Sequence, residues 1–279
     1  MPQQDRNRKD HLLPQGYLEG FTAPDGYLEV FDIPQKRWFR SKPDGVAAIR
    51  GYFDYSPDAK PDETADQAFR EFEDDFPNLR RELIATNFRD WKSHLDFLLR
   101  YMQMIRVRTQ LFRKDTVQQL EKQPPRRFGR AEVIPHPSLP GQQATRITLE
   151  EFDKTGEERN VAFNDLSISQ MRAELKRGVQ YLGDFNWVLR YTTDPAHPLI
   201  TADEAIRFEG PALTRDEAIL HPDSWFLFPI CWQACLIGNR GRLWPKREEM
   251  APENVREQQQ KFLGSLCRFS YSPIRLRKT

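Results

Sequence analysis

Apolar positions in the middle of the chain recur every three to four residues, and those near both ends alternate or cluster in short runs. From Pro61 onward Ala65, Phe69, Phe72 and Phe76 fall at helical spacing. Pro77 fits the first turn of a helix and not its interior. The pattern therefore predicts one helix ending near Asp75 and a second from Pro77 to about Thr86. The acidic run "EFEDDF" between them reads as a solvated face with an N-cap from Asp74 or Asp75, a metal-binding cluster being the alternative. The longest helix is predicted over Phe88 to Glu121, with Leu95, Leu98, Leu99, Met102, Ile105, Thr109 and Phe112 on one stripe. "KQPPRRFGR" stops it. The proline-rich stretch from about 124 to 141 reads as an irregular loop in which "RAEVI" is a brief strand and Arg126, Arg127 and Arg130 are solvated cations, contact with phosphate being the alternative. A further helix is predicted over Ser167–Leu182, with Met171, Leu175 and Val179 inward.

The ends carry strand signals. After the turn dipeptide Asp25-Gly26, a hairpin is predicted at Tyr27–Ile33 and Arg37–Ser41. Toward the C-terminus "FNWVLRYTT", "HPLITAD", "AIRFE", "WFLFPI" and "ACLIG" follow one another. A last helix starts at Pro252, with Val255, Phe262 and Leu266 on one face, and "CRFSYSP" closes as a strand. Helices in the middle and strands at the ends make an α+β class: an antiparallel sheet from the N-terminal hairpin and C-terminal strands, packed on a central helical segment, as one domain over 1–279.

Composition narrows the function classes. With 42 basic and 41 acidic residues the net charge is +1, so nothing pulls the whole chain toward nucleic acid or an anionic membrane, and any such binding needs a local patch. No stretch approaches the roughly 20 apolar residues of a membrane helix. The opening "MPQQDRNRKD" has no apolar core of a signal peptide. Cys231, Cys235 and Cys267 are too few for a disulfide framework, and "FPICWQACLIG" reads as buried core in preference to a zinc pair. A cytoplasmic protein is the expectation.

One charge stands out against this pattern. At about 100° per residue from Leu95, Leu99 falls near 40°, Met102 near −20° and Arg106 near 20°, in the middle of the apolar stripe, with Gln103 near 80° at its flank. A guanidinium there needs an anion or a set of acceptors. Two readings are open. Arg106 pairs with an internal carboxylate and ties helix to sheet, or it faces a cleft and holds a phosphate or carboxylate in bidentate fashion. Asp203, at the end of "PLITAD", is the preferred partner, with Asp32 and Glu73 in reserve. In "HLLPQGYLEGFT" Pro14 keeps its predecessor extended and Tyr17, Leu18 and Phe21 plug into the core. His11 is the polar end of that anchor, either a backbone partner or an acid–base group. Zinc-hydrolase, nucleophile-elbow, Walker and dinucleotide patterns are absent. "GNRGR" at 238–242 reads as a hairpin loop.

"HLLPQGYLEGF", "QMIR", "LITADEAI", "FLFPI" and "VREQQQKFLGSLCRFSYS", in that order, resemble the bacterial domain-of-unknown-function 4238 family across nearly the whole chain. Ala202 and Ala205 depart from its usual serine and proline, and Val107-Arg108 stands where Thr-Pro commonly follows. The resemblance singles out four polar residues from separate segments. The expectation built on them is a hydrolase of phosphodiester substrates, nuclease-like. His11 and Asp203 are catalytic in it, Gln103 and Arg106 hold the ligand, and a divalent metal such as Mg²⁺ is the candidate cofactor. The alternative is a non-enzymatic anion-binding or protein-interaction module. The expected partner is nucleic acid or a small anionic ligand, and the family association suggests phage defence.

Overall fold

The computed structural model describes residues 9–54, 65–122, 131–135, 143–147, 156–177, 182–210, 221–241, 247–263 and 268–276. The class is α+β. The strand β1 (Lys9–His11) pairs with β4 (Ala48–Arg50), and the short helix α1 (Gln15–Leu18) follows β1 at once. The hairpin forms where its alternation places it, as β2 (Leu28–Asp32) and β3 (Arg37–Ser41). It joins β13 (Phe269–Ser272) and β8 (Thr201–Ala202) in a four-stranded sheet of order β3-β2-β13-β8.

The remaining C-terminal strands make a second sheet. Their order is β12 (Arg247–Glu249), β7 (Asn186–Tyr191), β11 (Ala234–Asn239), β10 (Trp225–Cys231), β9 (Arg207–Glu209). Its pairings are antiparallel except β12 on β7, so the strands divide between two sheets. Alternation along β10 and β11 explains why one sheet was not enough. Phe226, Phe228 and Leu236 point into the main core, and Leu227, Ile237 and Trp225 point to the opposite side, where α6 (Pro252–Leu263) covers them. "GNRGR" is correspondingly no simple loop. Gly238 and Asn239 are paired strand residues, and a Cβ at Gly238 would lie 2.6 Å from the Trp187 ring opposite it. "RAEVI" is a strand within the expected irregular loop: β5 (Ala131–Pro135) pairs with β6 (Gln143–Ile147). Arg126, Arg127, Arg130, Val179, Leu266 and Cys267 lie outside the described residues.

The helices differ from expectation in two places. Pro77 does not separate two helices. α2 runs unbroken over Ala65–Ala85 with Pro77 inside, and Asp74 and Asp75 are mid-helix, not caps. Proline forfeits one bond to the carbonyl four residues back. Burial of Phe69, Phe76, Leu79 and Leu83 holds the helix together regardless. The ring also serves as a packing surface, since a Cβ at Gly16 would sit 2.7 Å from Pro77 Cγ. α2 ends with Asn87 in the left-handed region, the Phe88 amide bonding Leu83 O and the Asn87 amide bonding Ile84 O. Phe88 is itself left-handed, so no helix can begin there. The expected Phe88–Glu121 helix is instead a 3₁₀ turn at Trp91–His94, then α3 (Leu95–Arg108) and α4 (Gln110–Lys122). α5 spans Gly156–Arg177, with Met171 buried, and Leu182 lies beyond its end.

α3 is surrounded. Leu98, Leu99, Tyr101, Met102, Met104, Ile105 and Val107 are all buried, so it has almost no wet edge. The main core gathers around Tyr17 of α1. Its ring stacks on Phe228, centroids 5.8 Å apart, and touches Phe21, Phe76 and Tyr101. Its hydroxyl donates to Pro229 O of β10 at 2.8 Å and shares a 2.9 Å bond with Thr201 Oγ1 of β8. The opening segment is thus an anchor that ties one sheet to the other. Tyr17→Phe keeps the ring but orphans both partners, and is expected to cost about 1–3 kcal/mol. Urea unfolding monitored by circular dichroism measures this; a stability equal to wild type would show that the hydroxyl does not join the sheets.

Candidate functional site at the break between α3 and α4

Thr109 is extended, with ψ 153°, and this single residue ends α3. It then starts α4. Thr109 Oγ1 accepts the Phe112 amide at 3.2 Å, the third-position bond of an N-cap. The Leu111 amide, another donor of that first turn, goes to Glu204 Oε1 at 3.1 Å. Glu204 therefore caps α4 from a distant segment, with the Thr109 hydroxyl also within hydrogen-bonding reach of its carboxyl.

Burial dominates the chemistry of Glu204. It pushes the carboxyl up to about 7, against the Leu111 and Thr109 bonds that favour the anion, and the neighbouring carboxyls of Asp203 and Asp115 push the same way. Asp203 and Asp115 are also raised, each chiefly by burial. Asp203 accepts the Phe269 amide at 2.9 Å and the Tyr271 hydroxyl, so it is fastened to β13. Tyr52 stands beside this group. Its hydroxyl donates to Thr109 O at 3.2 Å, and burial raises its phenol to about 12, with a smaller upward push from Glu204. Tyr52 also lines a groove of ≈ 630 Å³ with Ile49 and the α4 residues Gln110, Arg113, Lys114 and Val117. Arg113 lies over the Tyr52 ring at 4.5 Å and donates to Tyr52 O at 2.9 Å.

The sequence-predicted residues surround this break but have other partners than expected. Arg106 does not pair with Asp203. Its Nη2 meets Glu174 Oε2 of α5 at 3.3 Å, its Nε donates to Gln103 Oε1 at 2.9 Å, and Phe112 lies under it at 5.4 Å. Gln103 donates in turn to Glu174 O at 3.3 Å. Asp203 was the wrong partner because β13 reaches it first. The reserves are taken too: Asp32 Oδ1 accepts the Gln35 amide, and Glu73 pairs with Arg108. His11 ends β1, half-buried. Gln15 Nε2 donates to its Nε2 at 2.9 Å, which leaves the ring proton on Nδ1, sealed from solvent on the Val46 side. Burial lowers its pKa, with Arg108 adding to the effect.

Arg108 is what periodicity missed. Its side chain is 4% exposed, against 16% for Arg106. It pairs with Glu73 of α2, donates to His11 O, and lies over the rings of Phe69 and Phe53 at 4.7 and 5.2 Å. On the helical wheel Arg108 falls far from the Leu95 stripe, on a side that a surface helix would turn to water but that α3 buries. Its one sequence signal was a cation where the family pattern has Thr-Pro. Among the described residues no group of three or more His, Cys, Asp or Glu is placed to hold a metal ion. Cys231 and Cys235 are buried free thiols, pushed up by burial to about 11 and about 12. No helix among the described residues is long and apolar enough to cross a membrane.

Two stability predictions follow from these charges. Arg108→Leu is expected to cost about 3 kcal/mol, because it removes the donor to His11 O and the partner of Glu73, whose 34% exposure lets water offset part of the loss. Arg106→Leu is expected to cost less, about 1.5–3 kcal/mol. Denaturant midpoints of the two variants give the order; the reverse order would refute it. Glu204 has a folded pKa above its unfolded one, so it binds a proton more tightly when folded. Its contribution is full below about pH 4.5 and is lost as pH rises through about 7. Wild-type stability is expected to fall across that window by about 2–3 kcal/mol from this group. Glu204→Gln should flatten the profile, and an unchanged slope in urea titrations at pH 4.5, 6 and 7.5 would contradict the assignment.

No curated protein and no solved structure matches the chain. Residues 9–263 match the model of a family described as protein of unknown function (DUF4238). The α+β chain with its anchored opening segment and its carboxyl group at the α3–α4 break belongs to that family.

Proposed function

We propose that the chain is a hydrolase of phosphodiester substrates, nuclease-like and cytoplasmic, with Glu204 as its proton-transfer group. The observation that carries the reading is a buried carboxyl held near neutrality beside a second carboxyl, at the start of the helix α4 whose Arg113 and Lys114 line a groove together with Tyr52, a neighbour of Glu204. A general base works best with a pKa close to the working pH. Glu204 fits that requirement better than His11, whose pKa burial lowers, or Asp203, which β13 holds fast. Arg113 and the exposed Lys114 supply the positive charge that an esterified phosphate needs.

The step balances without further reagents. The Glu204 carboxylate takes a proton from water, the water oxygen bonds to phosphorus, and the P–O ester bond breaks. The alkoxide leaves and takes its proton from solvent. Asp203 sustains the raised pKa of Glu204, and Gln103, Arg106 and Glu174 hold α3 against α5. A role in phage defence, suggested by the family resemblance, belongs to the same proposal. The other reading is a non-enzymatic anion-binding or protein-interaction module. It is favoured by the mutual engagement of Gln103, Arg106 and Glu174, which gives those residues a structural task.

The test is turnover of single- and double-stranded nucleic acids and of bis(p-nitrophenyl) phosphate, with and without Mg²⁺ or Mn²⁺. Glu204→Gln is expected to lower the rate about 10²–10⁴-fold, and Lys114→Glu to raise KM more than it lowers kcat. Equal rates for wild type and Glu204→Gln would overturn the hydrolase reading. No turnover of any substrate by the wild type would leave the binding module.

A further inference from the structure

The face of the five-stranded sheet turned away from the main core is only partly covered. Val255 and Phe262 of α6 close over Leu227 and Cys235 in a small second core. Beside that core a cavity of ≈ 730 Å³ remains between helix and sheet. Its floor is apolar, made by Trp225 and Leu227 of β10, Ile237 of β11, and Met250. A volume of this size suits a small organic molecule, since such sites span roughly 300–1,000 Å³.

Two cations line this cavity, Arg190 of β7 in the sheet and Lys261 of α6 on the helix. Lys261 Nζ lies 4.2 Å from the Trp225 ring centroid, so the ammonium is drawn inward over the indole. Four acids stand nearby or in the lining. Glu248 pairs with Arg190, Glu257 pairs with Lys261 at 3.1 Å, and Asp223 lies at the rim beside His221; Glu249 is turned to Thr193. Burial decides the sign of the site. The side chains of Arg190 and Lys261 are 17% and 29% exposed, and those of Glu248, Glu257 and Asp223 are 41%, 63% and 85% exposed. Water screens these three acids much more than the two cations, so the buried cations weigh more on the inside of the cavity than the count of formal charges implies.

We propose that this cavity binds a small organic anion with an apolar or aromatic body and a single carboxylate or sulfonate head. The body lies on Trp225, Leu227, Ile237 and Met250, and the head sits between Arg190 and Lys261. The site is independent of the hydrolase reading, because it uses the opposite face of the sheet and none of the groups at the α3–α4 break.

The probe is 8-anilinonaphthalene-1-sulfonate, an aromatic body with one sulfonate, titrated into the full chain and followed by its fluorescence. Binding to a single saturable site is expected. Decanoate should displace the probe, and decylammonium, with the same chain and the opposite charge, should not. Lys261→Glu is expected to weaken binding at least tenfold, and Ile237→Trp, which fills the floor, should remove the saturable component. Lys92→Glu is the control, since Lys92 lies over a different indole, Trp91, at 5.9 Å, and it should bind as wild type. Thermal melts establish that each variant is folded, and Lys261→Gln replaces Lys261→Glu if the latter is not. Undiminished affinity in the Lys261 variant, or displacement by decylammonium as effective as by decanoate, would overturn the proposal.

Discussion

The Tyr17 hydroxyl is a polar joint between the two sheets. A buried phenol must find partners, and here it finds a carbonyl of one sheet and a side-chain hydroxyl of the other. The ring beneath it contacts α2, α3 and β10 through Phe76, Tyr101 and Phe228. Every later feature depends on this placement. The position of β8 fixes where Asp203 and Glu204 emerge, and the position of α3 fixes where α4 must begin. The segment from Lys9 to Gly20 thus sets the geometry of a site whose acids lie near position 204.

At that site polar groups substitute for helix continuity. A straight helix from Leu95 onward would have satisfied its own backbone. The chain instead interrupts it at Thr109 and satisfies the new first turn with a threonine and a glutamate from elsewhere. The arrangement places a desolvated carboxyl at a helix start, where the helix dipole and burial act in opposite directions. Burial wins, and the result is an acid that changes charge near neutral pH. Arg108 holds the adjoining end of α3 through Glu73 and His11, which ties the break to α2 and β1 together.

Much of this fold is written in local sequence. The hairpin at Leu28–Ser41, the strands from Asn186 to Asn239 and the helix at Pro252 follow from alternation, turn residues and a proline at a helix start. What local pattern could not give was the outcome of long-range competition. Pro77 stays inside a helix because four buried apolar side chains outweigh one lost hydrogen bond. The long helix breaks at Thr109 because Glu204 is present to cap the second half. The apolar stripe marks Arg106 as a cation in need of an internal partner, but packing chooses the partner: β13 holds Asp203, and Glu174 of α5 meets Arg106. Glu204 itself carried no signal beyond adjacency to Asp203, since its perturbation arises from burial.

The order of strands in the four-stranded sheet has a consequence for biosynthesis. β13, made after the other three strands of this sheet, lies in the middle, with Phe269 opposite Asp32 on one side and Ser270 opposite Ala202 on the other. At about 5–20 residues per second on the ribosome, the inner edge of β2 waits roughly 10–50 s for its neighbour. Throughout that interval the nascent hairpin offers an unpaired backbone edge to any extended strand it meets. A chaperone that shields this edge until β13 is made would favour correct assembly over misjoined chains.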